Sequence, residues 1–184
     1  MAVDPILEIL IAARINLLLN HSWFGSLATR LVLVDATKWC KAAATDGYHL
    51  FYNREFIKSL QPEHVIFLIG HEILHAVLEH VIRGRGLDPE YANMAADYVV
   101  NAILVKDRIG KMPDVGLYDE KYADMSFEEV YEHLVKTHAV WLFVSRTVAT
   151  TAGADAKAFG NVTVVPVLVT LFTPLQINML PICI

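Results

Sequence analysis

Apolar residues recur at helical spacing in four stretches of the chain, and each stretch begins with a helix-start signal. Asp4-Pro5 and Asp88-Pro89 place a capping aspartate before a proline, and Ser126-x-x-Glu129 is a capping box. The pattern therefore predicts helices over residues 6–19, from Pro62 to the stop at Gly84 and Gly86, over residues 91–106, and over residues 126–136.

Two short stretches rich in branched and aromatic residues predict strands. Residues 31–34 and 50–52 are the candidates, with a turn at residues 45–47 before the second. We expect the two strands to be neighbours in one small sheet. Trp23, Phe24 and Gly25 are predicted to end the first helical segment, and residues 109–124 to form a loop. The sequence therefore predicts an α+β fold.

Charge divides the chain in two. Residues 139–184 contain three charged side chains, Arg146, Asp155 and Lys157, so residues 1–138 alone resemble an ordinary domain. The whole chain is 55% hydrophobic and has a net charge of −5, which excludes a disordered chain and a basic nucleic-acid binder. Residues 139–184 are interpreted as a strand-rich extension, a membrane-spanning tail (the least favoured, because of its prolines and amides) or a frame-altered end.

The cysteines and the N-terminal segment indicate the cellular compartment in which the protein is expected. Cys40 and Cys183 are too few for a disulfide framework and lack metal-knuckle spacing. Together with the absence of a basic segment at the N-terminus that would indicate a secretory signal, this predicts a cytoplasmic protein.

His71-Glu72-Ile73-Leu74-His75 is the motif that indicates chemistry. Residues four apart lie on one face of a helix, so both imidazoles can reach one zinc ion. Glu72 is offset from that pair and is placed to act as general base toward a water that zinc activates.

The third ligand is not supplied by the same helix. The pattern in which a histidine follows six residues after the second one fails, because that position is Val81. His80 should face the opposite side of a continuous helix and is predicted to be a surface or packing residue. Glu79 should lie a turn too far along and is predicted to support the site or to pair with a cation.

Asp97 is the better candidate for the third ligand. It is an acid within the alanine- and valine-rich helix predicted over residues 91–106, whose small residues permit close approach to the first metal-binding helix. Asn101 lies one turn further on the same face and is predicted to hydrogen-bond a ligand.

At these residues the sequence resembles a known family, the putative metallopeptidase domain of bacterial and phage proteins, which usually precedes a von Willebrand factor A-like domain. The resemblance covers about residues 8–137. The matching stretches are residues 24–28, 44–47, 50–53, 70–75, 95–98 with Asn101, 116–119 and 125–131.

The resemblance implies a zincin-like fold, in which a small sheet lies beside an active-site helix. It implies His71, His75 and Asp97 as zinc ligands and Glu72 as the base for peptide hydrolysis. A strand at residues 50–52 would flank the cleft, either as an edge strand that pairs with a peptide or as a plain sheet strand. The candidate oxyanion donors are Tyr98, Tyr118, Tyr122 and His133.

Three functions are consistent with the sequence. The leading hypothesis is a zinc metalloendopeptidase acting on peptides or proteins. The alternative is a non-catalytic zinc-binding module that works with a partner ATPase or another complex, and the third is a structural helical domain without metal. A membrane partner is not expected.

Overall fold

The computed structural model describes residues 4–138 and the backbone of residues 182–183. The chain divides into two units, and the first comprises Met1–Glu132 with Pro181–Ile184. The sheet and the candidate site both lie in this first unit. The predicted domain boundary at residue 138 adjoins residues 139–181, which lie outside the described part of the chain. It therefore stays a prediction.

Two helices begin the fold. Helix α1 (Pro5–Asn20) starts as predicted, since the Asp4 side chain accepts a hydrogen bond from the backbone N–H of Ile6. Helix α2 (Ser22–Ala28) occupies the segment that the sequence predicted to end α1, so that prediction was wrong. A Cβ added at Gly25 would lie 2.2 Å from the Cα of Leu18, so the glycine is required for the close packing of α2 on α1.

A small mixed sheet follows, in the order β1-β3-β2-β4. Strands β1 (Val32–Asp35) and β3 (His49–Tyr52) pair in parallel, which confirms the predicted neighbours. Strand β2 (Ala43–Thr45) forms an antiparallel hairpin with β3 and was not predicted. The backbone of β4 (Ile182–Cys183) pairs antiparallel with β2.

The interior position of β3 decides between the two roles predicted for this strand. Because β1 and β2 flank it on both sides, β3 is a plain sheet strand and cannot pair with an added peptide. Strand β2 is buried along its length and packs against the central helix of the domain.

That central helix is α4 (Pro62–Val77), which follows the short helix α3 (Arg54–Ser59). Every residue from 65 to 75 in α4 is buried, so the helix packs against neighbours on all sides. The prediction that it continues to Gly84 was wrong. The helix ends at Val77, and helix α5 (His80–Arg83) begins after a break at Glu79, whose φ is 56°.

Helix α6 (Pro89–Lys106) has the predicted start and end. Asp88 caps it by accepting hydrogen bonds from the backbone N–H groups of Glu90 and Tyr91. Residues 127–138 are also helical, and the predicted capping box is present, because Glu129 accepts hydrogen bonds from the backbone N–H and the hydroxyl of Ser126. Helix α6 packs on α4 and supplies the second half of the site.

Candidate metal centre

Helix α4 brings two histidines together in the interior of the domain. His71 and His75 are one turn apart on the same face and are 1% and 0% exposed. Their Nε2 atoms lie 2.6 Å from each other, so both rings point at one position. The spacing of the motif therefore has the geometric consequence that the sequence predicted.

Asp97 approaches that position from α6. Its Oδ1 atom lies 3.5 Å from the Nε2 of His71 and 3.2 Å from the Nε2 of His75. Despite these distances, Oδ1 forms no hydrogen bond of acceptable geometry with any described residue, while Oδ2 accepts one from Asn93. The structure thus brings together the three side chains that the sequence proposed as ligands.

Asn101 fixes which nitrogen of His71 carries the proton. The Asn101 Nδ2 donates to the backbone carbonyl of Leu117 at 2.8 Å, so its Oδ1 is the atom that faces His71 Nδ1, also at 2.8 Å. Since Oδ1 can only accept, His71 Nδ1 must donate, and in the neutral imidazole Nε2 then carries the lone pair. This arrangement prepares Nε2 to bind a cation.

Glu72 lies beside this cluster and is completely buried. Neither carboxylate oxygen has a hydrogen-bond partner among the described residues. Burial raises the pKa of Glu72 well above its ordinary value, and the negative charge of Asp97 adds to the effect. Such a carboxyl group holds a proton more readily than an exposed one.

Two of the ligand candidates have pKa values that differ from those of free side chains. Burial lowers the pKa of His75 to about 4, and the neighbouring imidazole of His71 contributes in the same direction. Burial would raise the pKa of Asp97, but the adjacent imidazoles of His71 and His75 outweigh it and hold the pKa at about 2. Near pH 7 His75 is therefore neutral and Asp97 ionised, which are the forms that bind metal.

His80 is in a different place from the one predicted. Because α4 ends early and Glu79 turns the chain, His80 returns to the site, where it is 1% exposed. Its Nδ1 lies 3.1 Å from the Nδ1 of His75. Glu79 itself is exposed at the break. This position does not support the prediction that Glu79 contributes to the site. Helical periodicity gave no signal for this histidine.

The cluster fits a divalent cation. A nitrogen from His71, a nitrogen from His75 and a carboxylate oxygen from Asp97 lie within 4.8 Å of one another, all buried. Three buried electron-rich atoms aimed at one point repel each other unless a positive charge lies between them. Two imidazoles and a carboxylate are a donor set that zinc takes in proteins, with a position left over for substrate or water.

A cavity of about 220 Å³ borders the cluster on the side of His71 and Asp97. Apolar side chains form most of its wall, and no pattern in the sequence indicated this cavity. Its lining residues are Phe56, Phe67, Leu68, His71, Asp97, Asn101, Pro113, Val115, Gly116 and Leu117. Asn101 ties this wall to the site through its bond to Leu117.

The predicted oxyanion donors are not distinguished by their contacts. Tyr98 packs on Tyr122 with ring centroids 4.7 Å apart, and Tyr118 is 42% exposed. The oxyanion role of these tyrosines, or of His133, stays a prediction.

An α+β domain with a helical His-Glu-x-x-His motif and a facing carboxylate defines a candidate metal centre of the metallopeptidase type. The chain belongs to the family described as "Putative metallopeptidase domain", whose model matches residues 8–162. The match extends beyond residue 137, where the resemblance was predicted to stop. Neither a comparison with curated proteins nor one with solved structures gives a match. In the described part of the chain, no helix combines the length and apolar character needed to cross a membrane.

Proposed function

We propose that this domain is a zinc-dependent endopeptidase, with His71, His75 and Asp97 as the zinc ligands. The observation that carries the proposal is the convergence of these three buried side chains beside a fourth buried group, Glu72. Zinc, when bound at such a site, lowers the pKa of a water from about 15.7 toward about 7 and polarises a carbonyl group. Membership of the family supports a metallopeptidase but does not specify the metal. Zinc is our inference from the donor set.

Glu72 is the proposed general base. It follows His71 directly on α4, so its carboxylate lies beside the ligands without joining them. In the reaction it accepts a proton from the attacking water and then donates this proton to the leaving amine nitrogen. Burial raises the pKa of Glu72, which is the direction in which a carboxylate becomes a stronger base.

The cavity beside His71 and Asp97 is the proposed binding site for a substrate side chain. At about 220 Å³ it is larger than the ~150 Å³ apolar cavity that accommodates benzene, so it has room for one large apolar side chain. Phe56, Phe67 and Val115 would surround that side chain with apolar surface. We therefore propose that the substrate has a large apolar residue adjacent to the cleaved bond.

The decisive experiment compares Glu72→Gln with Glu63→Gln. Both glutamates are on α4, but Glu63 is exposed in its first turn and serves as the matched control. Glu72→Gln should retain zinc and lose peptide hydrolysis by roughly 100- to 10,000-fold, whereas Glu63→Gln should match the wild type. Zinc content is measured on the purified proteins, and hydrolysis on a broad peptide library.

The same library tests the substrate proposal. Large apolar residues should be enriched next to the cleaved bond by about tenfold or more. Equal cleavage of polar and apolar peptides would contradict the cavity assignment. Wild-type protein that holds zinc but cleaves no peptide would instead support the non-catalytic binding module, and wild-type protein without zinc would overturn the metal site itself.

A further inference from the structure

His80 is a buried imidazole that the proposed reaction does not use. It begins α5, directly after the Glu79 break, and only the change of chain direction there returns it toward α4. The ring is 1% exposed, and its centroid lies 5.2 Å from that of His75. A third imidazole in contact with the paired histidines requires an explanation beyond core packing, since polar rings are costly to bury.

The distance between the two rings decides how protons are shared. His75 Nδ1 and His80 Nδ1 lie 3.1 Å apart, so one of them carries a proton and the other offers a lone pair. His75 Nε2 points the other way, toward His71 Nε2 and Asp97 Oδ1. For Nε2 to bind a cation, the proton of His75 must be on Nδ1, and His80 must then be the acceptor.

The surroundings hold the His80 ring in that orientation. It packs against the ring of Phe127, with centroids 5.1 Å apart and planes 33° from parallel. Arg83, three residues further on α5, donates to both carboxylate oxygens of Glu128 and to the carbonyl of Leu78 at the end of α4. The break and the helical segment after residue 126 thus fix the position of His80 relative to His75.

Only one of the two ring nitrogens of His80 makes a polar contact among the described residues. His80 Nε2 is buried and has no hydrogen-bond partner among the described residues, so the ring makes its polar contact through Nδ1 alone. Asn101 plays the corresponding part on the other histidine, where its Oδ1 accepts from His71 Nδ1. Each proposed imidazole ligand therefore has one polar partner at its Nδ1 atom.

We propose that His80 is a positioning residue, which holds His75 in the tautomer and ring orientation that present Nε2 to the metal ion. The inference rests on the proposed function, because it assumes that His75 is a ligand. Partners behind ligating histidines raise their basicity and fix their rotation, and their loss lowers metal affinity by about 10–100-fold.

A set of three variants at this position tests the proposal. The amide of His80→Asn can place its oxygen near the position of the lost Nδ1, whereas His80→Gln reaches toward Nε2 and His80→Leu offers no acceptor. We expect His80→Asn to bind zinc almost as tightly as the wild type, and the Gln and Leu variants to lose about 10–100-fold in affinity. Affinity is measured by competition with a chelator, and folding by thermal unfolding of the metal-free proteins.

A second readout reports on His75 directly. Nitrogen-15 NMR of the metal-free wild type should show His75 protonated at Nδ1, and His80→Leu should lose this preference, which a merely structural His80 would not determine. The proposal is overturned if His75 is protonated at Nε2, or if His80→Leu binds zinc as tightly as the wild type. If His80→Leu does not fold, the Asn and Gln variants decide alone, since both are polar. Wild-type protein without zinc would refute the proposed function and this inference together, whereas zinc-binding wild type with an unaffected Leu variant refutes only the inference.

Discussion

The two histidines of α4 look equivalent along the helix, but the groups behind them are of different origin. His71 is supported by Asn101, which lies on α6 and also donates a hydrogen bond to the carbonyl of Leu117. His75 is supported by His80, which comes from the same stretch of chain after a break in the helix. One support comes from packing between helices and the other from a local change in chain direction, so the two should respond differently to mutation.

The largest effect should come from removing the imidazoles themselves. His71→Ala and His75→Ala each delete one of three proposed ligands, so both should lose more zinc affinity than the roughly 10–100-fold expected for a supporting residue. His64→Ala removes a histidine from the same helix outside the cluster and is the control. Metal analysis after dialysis would show zinc in the control and none in the two variants. If either variant retained zinc, the histidine it replaces would not be an equivalent ligand to the other one.

Asn101 should show a double effect that His80 does not. Asn101→Leu removes both the acceptor for His71 and the donor to Leu117, so zinc affinity should fall by about 10–100-fold. Asn101→Asp keeps the acceptor and should retain most of the affinity. Both variants should speed hydrogen exchange in residues 113–117, because the carbonyl of Leu117 loses its partner.

Hydrogen exchange measured by mass spectrometry separates these two roles. The His80 variants serve as the comparison, since His80 has no contact of this kind with the cavity wall among the described residues. If Asn101→Asp loses as much zinc affinity as Asn101→Leu, the acceptor role assigned to Asn101 Oδ1 is wrong.

The Asn101 side of the site was predictable because its elements follow simple local rules. Asp88-Pro89 starts α6 where the sequence indicates, and helical spacing then places Asp97 and Asn101 on one face. The ligand cluster needed only that α6 packs on α4, which the small side chains of α6 allow. What helical spacing could not supply was the orientation of the Asn101 amide, which the carbonyl of Leu117 determines.

The His80 side was not predictable because nothing in its sequence interrupts the helical pattern. Glu79 is an ordinary helix residue, yet it adopts a left-handed conformation that few residues other than glycine favour. Strand β2 was missed for a related reason: Ala43 and Ala44 have low strand propensity and are held by pairing with neighbouring strands. In both places tertiary packing overrides the local preference.

Glu79 therefore offers a way to disturb one support alone. Its φ of 56° is matched by Arg108, which is also exposed and follows the end of α6. Valine is poorly tolerated in this conformation, so Glu79→Val and Arg108→Val should each lose about 1–2 kcal/mol in free energy of unfolding. Only Glu79→Val should also lower zinc affinity, because Glu79, unlike Arg108, sets the chain direction that places His80.

Denaturant unfolding of the metal-free proteins and zinc titration measure the two effects. Glu79→Gly accepts the same φ without strain, so its free energy of unfolding and its zinc affinity should be close to those of the wild type. Equal zinc affinity in the two valine variants would show that the break at Glu79 does not position His80.

The smallest effect should come from a polar contact on elements that carry no proposed ligand. Asp4 caps α1 and also accepts two hydrogen bonds from the Arg54 guanidinium on α3, at 2.7 and 2.8 Å. Those bonds hold the pKa of Asp4 at about 2, below its ordinary value of 3.8. A carboxyl whose pKa is lowered by folding stabilises the fold above its unfolded pKa and loses that contribution as the pH falls through the folded value.

Asp4→Asn should therefore lower the Tm slightly at pH 5 and above, since the contact is partly exposed and screened by solvent. The Tm difference from the wild type should shrink between about pH 4 and pH 2, as the wild-type carboxyl becomes protonated. Zinc content at neutral pH should be unchanged, because α1 and α3 hold none of the three converging side chains. A Tm difference that persists undiminished at pH 2 would mean that the charge of Asp4 is not what stabilises the fold, because asparagine retains the capping oxygen. A loss of zinc would mean that the first helix helps to position α4.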